Sequence, residues 1–248
     1  MTSKSISKAK SNLFFILSGI FIANAVIAEI IGVKLFSFEK TLGIPAAQLP
    51  WWNGNTLDFN LSAGVMLWPL VFILSDIINE YFGTEGVKKV TYFGVIIIAY
   101  TSMVLSGVNT LQPADFWVQT RTDFNINTAF TALFGQSIHI IIGSIIAFIT
   151  SQLLDASIFQ FIKKRAANTN GSKGIWLRAT LSTAISQLID SYLILLIAFY
   201  WLGNWPIEQV LQVGTVQYIY KMGMTIVLIP LLYIVHAIID NYLAKAEE

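Results

Sequence analysis

The sequence predicts an all-α membrane protein: six transmembrane helices in a single polytopic domain spanning 1–248, with both termini in the cytoplasm. Three observations carry this. Of the 248 residues, 55% are hydrophobic and 12% charged, against about 25% charged in a soluble domain, and the mean hydropathy is +0.67. Six apolar segments, at 12–34, 58–81, 89–109, 127–152, 178–203 and 215–242, approach or exceed the ~20 residues needed to cross a bilayer. Most of the 15 Lys and Arg residues fall on one side of that arrangement.

The first segment follows Lys4, Lys8 and Lys10 without a small-residue cleavage site, so it reads as a span and not a removed signal peptide. It carries Asn24 near its middle and Glu29 beyond it, with Lys34 close enough to pair with Glu29 or to snorkel to the interface. A long outer loop, 35–57, holds Trp51 and Trp52. The second segment contains Pro69 and the sixth Pro230; each proline should bend its helix by freeing a carbonyl one turn back. The third is uncharged from Val90 to Ala114. The fourth contains His139, read as buried by position: a packing residue or, less readily, a proton relay. An inner loop, 153–177, holds a turn-rich stretch at 168–172. Lys88, Lys89, Lys163, Lys164, Arg165, Lys173, Arg178 and Lys245 join the N-terminal lysines on one face, leaving Lys34, Lys40, Arg121 and Lys221 toward the other. The positive-inside rule makes the first face cytoplasmic. Trp51, Trp52, Trp117, Trp201 and Trp205 then anchor the outer boundary and Trp176 the inner one.

Several classes of chemistry are excluded. The chain has no cysteine, and His139 and His236 are its two histidines, in no metal-binding spacing. No cofactor is implied. The net charge of +1 and the lack of a basic, aromatic-rich cluster argue against a nucleic-acid partner.

Within the second segment Trp68, Phe72, Asp76 and Glu80 recur every four residues, and Asn79 lies three after Asp76. They share one helical face. Lipid cannot solvate two carboxylates, so they must face protein, water or a ligand. For Glu80 the plain alternative is a helix end at the water boundary. In the fifth segment Arg178, Ser182, Ser186 and Asp190 repeat every four residues beside Thr183 and Gln187. An Asp76–Arg178 ion pair is the structural alternative there. Lys221 opens the sixth segment, where a lysine ordinarily snorkels to the interface. Asn24, Trp68, Phe72, Asp76, Asn79, Glu80, Arg178, Ser182, Gln187, Asp190 and Lys221 form the candidate substrate-binding set. Carboxylates accept from paired N–H groups, amides read both donors and acceptors, and aromatic faces stack on flat rings. The set suits a planar, nitrogen-rich heterocycle; a bare cation is also chemically compatible. An internal echo, Ser151-Gln152-Leu153-Leu154-Asp155 against Ser186-Gln187-Leu188-Ile189-Asp190, carries little weight because the two copies fall at different depths of their predicted helices.

These residues resemble a known family. Trp68-Pro69-Leu70, Ser75-Asp76-Ile77-Ile78-Asn79-Glu80-Tyr81-Phe82-Gly83, Arg178-Ala179-Thr180-Leu181-Ser182-Thr183, Gln187-Leu188-Ile189-Asp190, Lys221 and Pro230 are similar to the queuosine precursor transporters, six-helix bacterial inner-membrane proteins also described as vitamin uptake transporters. The outer loop is longer than in short members. The resemblance implies a bacterial inner-membrane location and uptake of a 7-deazaguanine, such as 7-cyano-7-deazaguanine, by alternating access. The architecture also resembles the substrate-binding subunits of energy-coupling-factor importers. A binding subunit of an ATP-driven importer is therefore the alternative, with its ATPases on other chains, since no Walker-type loop occurs here. A homo-oligomer and separate energising subunits both remain open. An intramembrane aspartyl enzyme built on Asp76 and Asp190 is the remaining alternative; it lacks a Gly-x-Gly-Asp motif.

Overall fold

A computed structural model describes residues 3–120, 123–166 and 175–247. The 168–172 turn, Arg121 and Lys173 lie outside the described residues, as do the side chains of Lys4 and Trp176. Helix α1 (Ser3–Ile31) leads into a compact loop of four short strands, β1 (Leu35–Ser37), β2 (Leu49–Pro50), β3 (Thr56–Leu57) and β4 (Asn60–Ser62), with helix α2 (Phe38–Leu42) among them. β1 pairs antiparallel with β4 and β2 with β3. Then come α3 (Trp68–Asn109), α4 (Asp115–Val118), α5 (Ile126–Phe134), α6 (Ile138–Ala166), α7 (Ile175–Leu195) with a π-helical continuation at Leu196–Trp201, α8 (Ile207–Val227) and α9 (Ile229–Glu247).

The long helices sort their side chains between a dry interior and a lipid-like exterior. Phe21, Val71, Ile77, Ile78, Phe148 and Phe159 are buried in one core, whereas Phe15 is 80% exposed and Met103 71%. Large apolar residues facing outward in such numbers mark a surface covered by hydrocarbon. Among the described residues four helices are long and apolar enough to cross a membrane, five if the bent pair α8–α9 forms one span. The chain is an all-α multi-pass membrane protein.

Several boundaries differ from the sequence expectation; α1 and α8 begin earlier, at Ser3 and Ile207. Residues 58–67 are not helical: β4 and a 3-10 turn at Ala63–Met66 occupy them, and Leu57, Leu61 and Val65 pack on Val216 and Tyr220 of α8. Hydropathy alone cannot tell a buried loop from the start of a span. Pro69 therefore sits in the first turn of α3, where its missing N–H costs nothing and it bends nothing. Helix α3 runs on through the expected loop at 82–88; at 42 residues it would be about 63 Å long if straight, twice the hydrocarbon thickness. It is not straight. Gly83 has φ 67° and ψ −174°, so two helices meet there at a conformation that glycine tolerates and other residues resist. The fourth expected segment divides into α5 and α6, and α6 extends to Ala166, into the expected loop. The bend foreseen at Pro230 is present: α8 and α9 meet at 46°.

Helix α6 packs on α3 and on α7, α1 on α3, and α7 on α8. That cluster holds every buried charged group except Glu39, which lies in the loop.

Candidate functional site

The buried polar groups form layers along the bundle. The first is a chamber of about 390 Å³, within the range of small-molecule sites. Glu29 of α1, Trp68 at the start of α3, Gln136 and Ser144 beside and on α6, Asp190 of α7 and Gln217 and Lys221 of α8 contribute to its walls. The loop closes against it at Gly64, where a Cβ would stand 2.5 Å from the Ala28 carbonyl oxygen, so only glycine permits that approach. Phe199, on the π-helical segment, and Trp205 add aromatic surface.

Three charges face this space, and two cancel. Lys221 Nζ lies 2.6 Å from Asp190 Oδ2, with Lys221 only 2% exposed. Ser151 donates to the other oxygen of Asp190 at 3.1 Å. Lys221 thus points into the bundle and does not snorkel. Glu29, by contrast, meets no cation among the described residues. Ser144 donates to its Oε1 at 2.7 Å, and Gln136 donates to its backbone carbonyl at 3.0 Å. Oε2 accepts no hydrogen bond from the described residues, and Lys34 forms no ion pair with it. A carboxylate held by one hydroxyl at the edge of a cavity can accept two further N–H groups from a flat ligand.

A second layer lies deeper, outside the walls of that chamber. Asp76 of α3 and Asp155 of α6 are both buried, at 1% and 0% exposure. One hydroxyl, Thr183 Oγ1, lies 3.5 Å from Asp76 Oδ2 and 3.4 Å from Asp155 Oδ1. It has a single proton and so can serve only one of them at a time. Ser186 donates to Asp155 Oδ1 at 2.9 Å. Asp76 Oδ1 and Asp155 Oδ2 have no hydrogen-bond partner among the described residues.

A third layer seals one end. Glu80 receives Lys163 Nζ at 3.0 Å and Arg178 Nη2 at 3.3 Å, and the Arg178 guanidinium also lies over the Phe159 ring. Asn79 donates to Ala156 O at 2.9 Å and accepts from Gln160 at 2.8 Å. Beside them Tyr81 bonds His236 and donates to Asp240 of α9. Phe82 packs edge-on against Phe14 of α1, so the seal sits level with residue 14. Glu29 is 15 residues further along the helix, about 22 Å away.

Of the residues expected to hold substrate, Trp68, Asp190 and Lys221 reach the chamber. Phe72 is buried. Asp76 lies in the second layer and Asn79, Glu80 and Arg178 in the third; Arg178 meets Glu80 and not Asp76. Asn24 bonds back to the Ile20 carbonyl on its own helix and Ser182 to that of Ala179. Gln187 is fully buried with both amide atoms unpartnered. His139 is half-buried near the start of α6.

Two acids outside the expected binding set rise in importance: Glu29, for which the sequence allows pairing with Lys34 or snorkelling to the interface, and Asp155, which the repeated motif contains. The copies of that motif are not at different depths. Ser151 bonds Asp190 and Ser186 bonds Asp155 across the α6–α7 contact, so the two pentapeptides face each other in antiparallel register about a local two-fold axis.

A family model described as "Putative vitamin uptake transporter" matches residues 62–235. A protein of Bacillus subtilis (strain 168) named "Probable queuosine precursor transporter" is 29% identical over 185 residues, covering 74% of this chain and 76% of that one. A protein of the same name from Haemophilus influenzae (strain ATCC 51907 / DSM 11121 / KW20 / Rd) is 25% identical over 195 residues, 77% of this chain and 73% of that one. No solved structure matches significantly.

Proposed function

We propose a specific cargo for this chain, which belongs to the vitamin uptake transporter family and is a transporter and not an enzyme: a 7-deazaguanine precursor of queuosine, such as 7-cyano-7-deazaguanine. The observation that carries this reading is the Glu29 carboxyl, which meets no cation among the described residues, in a chamber of about 390 Å³ walled by Trp68 and crossed by the Asp190–Lys221 pair. A deazaguanine presents N1–H and a 2-amino group side by side, and one carboxylate accepts both. Its ring carbonyl needs a donor, which Lys221, Gln136 or Gln217 supplies, and its flat face suits the Trp68 indole. The names of the two relatives support the same cargo.

The transport mechanism is alternating access around the chamber in the bacterial inner membrane. The start of α1 and the end of α9 lie together, Ser5 Oγ donating to the Ala246 carbonyl at 3.4 Å. Termini on one face require an even number of crossings, and six follow if α3 turns back at Gly83 and α8–α9 form one broken span. The lysine-rich face, which holds the Glu80–Arg178–Lys163 seal, is then cytoplasmic. In this state the seal closes the inner end while the chamber lies toward the outer loop. Import needs the seal to open after cargo binds.

Uptake of labelled 7-cyano-7-deazaguanine, in cells unable to synthesise it, tests the assignment. The chain should confer uptake, and Glu29→Gln should weaken it about tenfold or more, because one acceptor pair becomes half donor. Uptake indistinguishable from cells lacking the chain would remove the cargo assignment. Normal uptake by Glu29→Gln would move recognition away from this carboxylate.

A further inference from the structure

From the second layer we infer that Asp76 and Asp155 form a proton-binding site, separate from the cargo chamber, that couples transport to a proton gradient. Two buried carboxyls meet around Thr183 with no cation between them. Each cation nearby is engaged elsewhere: Arg178 and Lys163 with Glu80, and Lys221 with Asp190. No other ionisable group on the packed elements bonds either acid among the described residues: Glu29 of α1 and Asp240 of α9 are acids, His236 is bonded to Tyr81, Lys88 pairs with Glu85, Lys8, Lys10, Lys89, Lys164, Arg165, Glu208 and Lys245 are exposed, and His139 is half-buried near the start of α6. Two like charges so placed cannot both persist in a dry interior, and a shared proton is the economical solution.

A metal ion fits less well. Among the described residues no group of three or more His, Cys, Asp or Glu could hold one. Neither the chamber nor the small cavity on the far side of Glu29 has Asp76 or Asp155 in its walls, whereas a hard cation needs about six oxygens and room for them. A proton needs no room.

Independent of the acids, two amides point to the same place. Gln152 and Gln187 are fully buried, and none of their four amide atoms has a hydrogen-bond partner among the described residues. Helical spacing sets Gln152 one turn before Asp155, and Gln187 one turn after Thr183 and one before Asp190. Asp190, Gln187 and Thr183 therefore form a polar file from the chamber to the acid pair. Such amides, lacking partners in this arrangement, suit a second arrangement in which the carboxyls change theirs.

The coupling step balances simply. A proton from chamber-side water converts one carboxylate into a carboxylic acid; the same proton leaves to the opposite side after the bundle switches, restoring the carboxylate. Nothing is oxidised or reduced. The crossed bonds of Ser151 with Asp190 and Ser186 with Asp155 tie the sites together, because any slide of α6 along α7 breaks both at once.

The inference is tested without cargo by infrared spectroscopy of the purified protein in lipid. The wild type should show a protonated-carboxyl C=O band at neutral pH that titrates away at high pH, and Asp76→Asn/Asp155→Asn should lack it while Glu29→Gln keeps it. A wild type without the band, or a double variant that retains it, overturns the site. In proteoliposomes an inward gradient of one pH unit should drive about tenfold accumulation of 7-cyano-7-deazaguanine for one proton per cargo. A protonophore should abolish that accumulation, and each single Asn variant should lose it while keeping exchange of cargo across the membrane. Accumulation indifferent to the protonophore overturns the coupling. The infrared arm needs no ligand, so its outcome stands whether or not the cargo is a deazaguanine.

Discussion

Asp155 and Asp190 close the same pentapeptide pattern, and each accepts a hydrogen bond from the serine that opens the other copy. Their surroundings are opposite. Asp190 lies beside a chamber and is matched by Lys221 at 2.6 Å; Asp155 is fully buried outside that chamber's walls and is matched by another acid, Asp76, through one shared hydroxyl. The motif alone therefore does not assign a role. The third helix does: α8 brings an ammonium to one copy and α3 a carboxyl to the other. One copy pairs its acid with a cation, and the other leaves its acid to a proton.

The comparison breaks most visibly at Lys221. Lys221→Met leaves Asp190 buried without its cation, and removing one partner of a buried pair costs about 3–5 kcal/mol. Removing both in Asp190→Asn/Lys221→Met should restore most of that loss. Chemical or thermal unfolding in detergent measures both. If the single and double variants are equally destabilised, Lys221 acts by packing and not by charge. The corresponding double change at the acid pair, Asp76→Asn/Asp155→Asn, should not destabilise by this mechanism, because no ion pair is broken.

The serines sharpen the same contrast on a smaller scale. A hydrogen bond to a charged group contributes about 1.5–3 kcal/mol. Ser186→Ala should cost more than Ser151→Ala, since Asp155 has no cation to fall back on while Asp190 keeps Lys221. Equal costs would mean that the two aspartates are held alike, contrary to the distances.

Much of this was legible in the residues. Composition and segment lengths gave a helical membrane protein, the four-residue polar spacing on α3 and α7 marked the interior, and Pro230 marked the break before α9. What escaped was whatever depends on a partner from another helix. Asp76, Asn79 and Glu80 share a face, yet successive turns carry them past a second acid, a backbone carbonyl and two cations, so one stripe serves two layers. Lys221 reads as a snorkelling residue until α7 supplies Asp190. Glu29 stood out only as an acid near a lysine, because Ser144, its real partner, is 115 residues away. The stretch at 58–67 reads as helix from its hydropathy, because Leu61 and Val65, with the adjoining Leu57, are apolar in order to bury themselves on α8.

A third acid shows how burial without a cation is solved when no proton is needed. Glu39, in the loop between α1 and α3, is 3% exposed. Burial alone would push its carboxyl upward, but the backbone N–H of Phe59 at 2.6 Å, with Ser37 and the N–H of Ala47, outweighs it, and the net shift is downward. A carboxyl lowered in the folded state stabilises above the ordinary carboxylate value of about 4.3 and loses that stabilisation as pH falls through its own, lower value. The loop should therefore open on acidification below about pH 4, seen as faster amide exchange at Phe59 and Ala47. In Glu39→Gln the loop should already be loosened at neutral pH, with no acid transition of its own. An unchanged acid transition in that variant would assign it to another group. The effect should be the smallest of those considered, since the contacts are local and lie at the edge of the bundle. It also isolates the point at issue: directed N–H groups keep a buried carboxylate ionised, and Asp76 and Asp155, offered hydroxyls and each other, have none among their hydrogen-bond partners.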